Sequence, residues 1–236
     1  MPPASSKPDS ATESATDHAL GAQCCESVTN TKDCILGVAE RLFAKLGFDA
    51  VSLRQLTDEA GVNLAAVNYH FGSKDGLIRA VLEHRILPLN VERVRLLSEA
   101  VDAAGEKPVN PDKIVHCYVD SVLNAAAETT GTDVSLAKLI SRFLGDQSEH
   151  MQKMVMDQFP EVVEIYVREI CRSVPGLDPA EALIRLLFIE GSLVHSMLYL
   201  DRLHVLAEGF EAPGVDEIEK RIIQFATEGL TAPAPG

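Results

Sequence analysis

The sequence predicts an all-α protein, with an N-terminal three-helix helix-turn-helix head followed by a larger C-terminal helical bundle. Three observations predict this. Apolar residues recur at helical spacing from Thr31 almost to the end of the chain, and no run of strand alternation interrupts them. Residues that open helices (Ser52, Asn63 and Ser73) stand immediately before these runs. Two short helical stretches, "LRQLTDEA" and "LAAVNYHF", are separated only by the tight turn Gly61-Val62-Asn63.

Residues 1–30 are rich in Ser, Thr, Ala and Pro and read as a disordered leader. The head is expected over 31–80. Its first helix starts near Thr31, with Ile35, Val38, Ala39, Leu42, Phe43 and Leu46 on one stripe, and Gly47 ends it. Ser52 opens the second helix, with Gln55 three residues later as a capping box, and Gly61 closes it. Asn63 caps the third, whose core face is read as Leu64, Val67 and Phe71. Ser73 caps a fourth that runs past Leu97, with a kink expected at Pro88.

The regulatory and dimerisation body is expected over 81–230. Asn110-Pro111 starts a helix carrying Ile114, Val115, Tyr118, Val119, Val122 and Leu123. Thr132 starts another, and Ser148 leads into a segment broken or bent at Pro160. Asp178-Pro179 begins a helix that is apolar almost all round to about Leu203, and Val215 to Leu230 closes the chain. A helix apolar on every side must be covered on every side, so core is expected on one face and a second copy of the chain on the other.

Composition narrows the classes of function. The most apolar stretch, Leu186 to Leu200, is interrupted by Glu190 and His195 and falls short of the roughly 20 residues a bilayer needs, so no membrane partner is expected. The chain start lacks a basic segment followed by an apolar run. Five scattered cysteines with no Cys-x-x-Cys pair fit reduced thiols and a cytoplasmic location. The formal net charge of −14 argues against a nucleic-acid partner until its distribution is examined. Seven basic and seven acidic residues balance between positions 31 and 85, so the acidic excess lies in the leader and the body. A neutral head binds random DNA poorly and depends on oriented contacts.

The stretch "SLRQLTDEAGVNLAAVNYHFGSKDGL", Ser52 to Leu77, carries the chemistry. A 100° step per residue sends Ala65, Ala66 and Tyr69 outward from the third helix and Asn68 to its flank. Small residues let a helix sink into a major groove, an Ala methyl meets a thymine methyl, and Asn pairs with adenine. Tyr69, His70 and the Ser73-Lys74 helix start suit phosphate oxygens. The order "RLFAKLGFDAVSLRQLTDEAGV", a short helix ending in "YHF", then "GSK" resembles the head of the TetR family of repressors over about residues 31–80. That resemblance implies that the first three helices bind double-stranded DNA at a near-palindromic operator, that the fourth connects, and that the remainder forms a ligand pocket and a homodimer. Carried over by position, Ser52, Ala65, Ala66, Asn68, Tyr69, His70 and Lys74 fall where the family touches DNA. Asn68 stands where most members have tyrosine, which leaves phosphate clamp and base reader as two roles for it. The body segments "LISRFLGDQSEHM" and "IEGSLVHSMLYLDRL" resemble the fatty-acid-responsive branch.

A small-molecule effector is expected in an apolar cavity built from Tyr118, Phe143, Met151, Phe159 and Phe188, with polar anchors at His116, Arg142 or His195. Glu190 is aimed at an apolar surface and is read first as a buried ion pair with an arginine such as Arg142 or Arg168, second as a polar end of that cavity. No cofactor, metal site or enzymatic centre is expected. A di-metal bundle needs paired Glu-x-x-His motifs, and Asp201 with His204 or Glu190 with His195 do not repeat as such a pair. The expected function is a DNA-binding repressor released by a small apolar, acyl-like molecule. The alternatives are the same head gated by a protein partner, and a helical-bundle enzyme.

Overall fold

The computed structural model describes residues 30–128 and 136–234. The expected leader, apart from Asn30, and the helix start expected at Thr132 lie outside the described residues. Among the described residues every regular element is helical: α1 (Thr31–Leu46), α2 (Leu53–Ala60), α3 (Leu64–Phe71), α4 (Lys74–Ala104), α5 (Pro111–Glu128), α6 (Leu136–Gly145), α7 (Glu149–Met156), α8 (Pro160–Ser173), α9 (Pro179–Tyr199), a 3-10 turn (Leu200–Val205) and α10 (Val215–Thr231). The chain divides into two compact units, Met1–Val81 and Leu82–Gly236. Helix α4 begins in the first and ends in the second, continuous through Pro88.

In the first unit, α1 lays Ile35, Val38, Ala39, Leu42 and Phe43 into a core shared with Leu56 and Ala60 of α2 and Val67 of α3. Each of these helices starts where a side chain satisfies an amide that has no partner inside the helix. Asn30 accepts from the Lys32 N–H, Ser52 from Gln55, Asn63 from Ala66 and Ser73 from Gly76, all at 2.9–3.1 Å. Gly61 ends α2 in the left-handed region, φ 64°, where a Cβ would strain the turn. At Gly76 a Cβ would meet the Phe71 carbonyl oxygen at 2.0 Å, so only glycine allows α4 to leave the end of α3 so closely.

In the second unit, α9 packs against α6, α8 and α10, while α5 packs against α8 and α10. The expected stripe of α5 is buried at Ile114, Val115, Tyr118, Val119 and Val122. Pro160 breaks the chain outright: α7 stops at Met156 and proline opens α8, where its missing N–H costs nothing. Arg185 of α9 is buried, held by Glu181, and donates to the Leu230 and Ala232 carbonyls, closing the C-terminal end of α10.

Helix α9 is longer than the apolar stretch visible in sequence and is, by length and composition alone, apolar enough to cross a membrane. Its inner face nevertheless buries Ala182, Leu186, Ile189, Leu193 and Val194 together with Arg185, as in a bundle helix. Its outer face leaves Leu183, Ile184, Leu187, Phe188 and Tyr199 exposed, with Leu187 and Phe188 each at 65%. Cys117 is a buried and Cys171 a half-buried free thiol.

Candidate nucleic-acid interface and body sites

Helices α2 and α3 form a helix-turn-helix because Leu56, Ala60 and Val67 are buried between them and α1, and Asn63 starts α3 only two residues after Gly61. On α3, Ala65, Asn68 and Tyr69 are exposed, while Ala66 and His70 are half-buried. Tyr69 is 85% exposed, with its ring edge-on to His70 at 5.0 Å. Ser52 is exposed at the start of α2. Lys74 opens α4, and its Nζ reaches only the Asp49 carbonyl, at 3.5 Å. The seven residues named from sequence are thus carried by three consecutive helix starts and the outer face of α3.

Two core assignments change. Leu46, at the C-terminal end of α1, is 41% exposed. Leu64 is half exposed, because a residue in the first turn of a helix has no preceding turn beneath which to bury its side chain. It joins Ala65 on the outer surface of α3. Arg54, exposed on the first turn of α2, is a further cation that the sequence reading does not single out.

In the second unit the sequence-named pocket residues separate. Tyr118, Phe143 and Met151 are buried and Phe159 and His116 are half-buried, but Arg142, Phe188 and His195 are exposed. The eight therefore do not line one closed cavity. A groove of about 750 Å³ does exist between α8 and α9, over Val163, Val167, Cys171, Pro179 and Leu183, and none of the eight lines it.

Glu190 is an ion-pair residue as first read, but its partner is Arg93 of α4, not Arg142 or Arg168. Arg93 donates to Glu190 Oε2 at 2.9 Å, and the Tyr118 hydroxyl donates to the same oxygen at 2.6 Å. The guanidinium lies 3.8 Å from the Tyr118 ring centroid, and the Tyr166 hydroxyl donates to the Arg93 carbonyl. Burial opposes the Arg93 charge, yet Tyr118 and Glu190 outweigh it and hold the group protonated. Burial pushes the Tyr118 hydroxyl up, so it stays a donor. Arg93 Nε is buried without a hydrogen-bond partner.

A second polar cluster joins α5 to α10. His116, Asp120 and Glu219 are half-buried, and one donor atom from each lies within 4.8 Å of the others. Asp112 lies 3.7 Å from the other side of the imidazole.

With this geometry in place, comparison with known proteins is decisive for the class. The family description "Bacterial regulatory proteins, tetR family" matches residues 35–81, and "Tetracyclin repressor-like, C-terminal domain" matches 116–229. The chain belongs to the TetR family. It is similar to the HTH-type transcriptional repressor NicS of Pseudomonas putida, 32% identical over 77 residues, which is 33% of this chain and 36% of that protein. It is also similar to the HTH-type transcriptional repressor Rv3405c of Mycobacterium tuberculosis, 45% identical over 67 residues, covering 28% and 34% of the two. The matches span only 34–36% of the length of these two curated relatives. The ketosteroid transcriptional regulator KstR2 of Mycobacterium tuberculosis shares the fold, with a TM-score of 0.57 at 16% identity over 88% of this chain and 98% of that one.

Proposed function

We propose that the protein is a cytoplasmic transcriptional repressor that binds a near-palindromic operator as a homodimer and releases it when a small apolar effector binds the second unit. The observation that carries the DNA reading is the outer face of α3. Small side chains (Ala65, Ala66) lie beside an exposed amide (Asn68) and a tyrosine almost wholly in solvent, and flanking helix starts supply Ser52 and Lys74. A bare tyrosine on a helix otherwise lined with methyl groups suits a groove with a phosphate wall. The two curated relatives named above are both described as repressors.

Homodimer formation is supported by the exposed apolar outer face of α9 and by Phe225 of α10 at 68% exposure, since exposed apolar surface of this kind marks an association site. An apolar effector is supported by the groove between α8 and α9 and by the buried tyrosine-arginine network. An acyl compound with a free carboxylate would compete with Glu190 for Arg93. Because α4 carries Arg93 and also opens beside the head, an effector that binds two arrangements of α4 differently shifts DNA affinity. The test is gel retardation of the chain's own upstream DNA, repeated with long-chain acids, their coenzyme A esters and unrelated aromatic compounds. Retardation relieved by the acyl set supports the reading. Relief by aromatic compounds alone contradicts the acyl effector, and no retardation at low salt contradicts the DNA reading itself.

A further inference from the structure

We propose that His116 and Asp120 of α5 and Glu219 of α10 bind one divalent transition-metal ion that ties the two helices together. His116 and Asp120 are four residues apart, so they share one face of α5, and Glu219 meets them from the packed partner helix. His116 Nδ1 is 3.7 Å from Asp120 Oδ1. Donors around a tetrahedral ion with bonds of about 2.0–2.2 Å stand roughly 3.3–3.5 Å apart. That pair is nearly at the spacing, and all three donor atoms lie within 4.8 Å of one another.

Three features point to a cation rather than to a solvated acidic face. Asp120 Oδ1 is buried and has no hydrogen-bond partner, although the carboxylate would otherwise need one. Asp112 lies 3.7 Å from His116 Nε2, one helical turn before it, on the side of the imidazole away from Asp120, so that Nδ1 is the nitrogen that faces the cluster. Glu219 makes no ion pair among the described residues, and it and Asp120 converge on the imidazole from different helices, where a bound cation would offset both charges. One nitrogen and two carboxylate oxygens suit zinc, manganese or cobalt, whereas calcium and magnesium favour all-oxygen sets. Paired motifs within single helices do not reveal this cluster, because Glu219 comes from a helix remote in sequence.

The experiment is calorimetric titration of the chelator-treated full-length protein with zinc chloride, with melting followed in parallel. One zinc per chain and a melting temperature that rises with zinc concentration are expected, with no rise in calcium. Glu219→Gln and His116→Ala should each weaken zinc binding at least about tenfold while the metal-free helical spectrum is unchanged. Asp120→Asn serves where His116→Ala does not fold. Cobalt should give a spectrum without thiolate charge transfer, which excludes the cysteines as the site. No zinc binding, equal binding by the variants, an equal response to calcium, or a thiolate band would each overturn the proposal. None of these readouts uses DNA, so failure here is separate from failure of the repressor reading.

Discussion

At the scale of single residues, the proposed DNA interface divides into two kinds of contact. Lys74 is held only by a long bond to a carbonyl, so it is available to a phosphate. Lys74→Ala should weaken binding to all sequences alike and lower the salt slope by about one, measured by anisotropy across a salt series. Asn68 is exposed and can reach a base edge. Asn68→Ala should lose about 1–3 kcal/mol of discrimination at one base pair, and equal loss on every site would make it a phosphate clamp instead. In the body, Glu190→Gln leaves a buried guanidinium without its counter-charge and should cost about 3 kcal/mol by chemical denaturation. Replacing Arg93 and Glu190 together by methionine should cost less than the single change, because no charge is then stranded. The ion pair at Glu190 was legible because a carboxylate at helical spacing among leucines needs a cation. Which cation was not legible, since register within α9 says nothing about which arginine of a remote helix faces it.

At the scale of elements, the local signals in the sequence held best. Ser52, Asn63 and Ser73 cap α2, α3 and α4 as their chemistry requires, because capping involves only the next three residues. Pro160 breaks the chain for the same local reason. The pocket residues were less legible. Phe188 is expected inward as apolar lining and His195 as a polar anchor, yet α9 is apolar on both faces and periodicity cannot say which face meets the core. That ambiguity yields a sharp contrast. Leu187 is 65% exposed and Val194 is buried on the same helix. Leu187→Asp should give a folded monomer by analytical ultracentrifugation, with melting close to that of the dissociated parent chain. Val194→Asp should instead unfold the unit, because it buries a charge with no partner. A Leu187→Asp protein that remains a dimer would place the association surface elsewhere.

For the whole molecule, the distribution of charge ties sequence, structure and function together. An acidic body and leader make sequence-independent attraction to DNA weak, so the head must gain affinity from geometry and from using two copies at once. In the proposed homodimer, heads related by a two-fold axis would present two α3 helices to successive major grooves on one face of the duplex. Hydroxyl-radical footprinting on the chain's own upstream DNA tests this most directly. Two protected half-sites related by an inverted repeat, with centres about 34–36 Å apart or a little more, are the predicted result. A single unpaired footprint, or uniform protection without sequence preference, would contradict it.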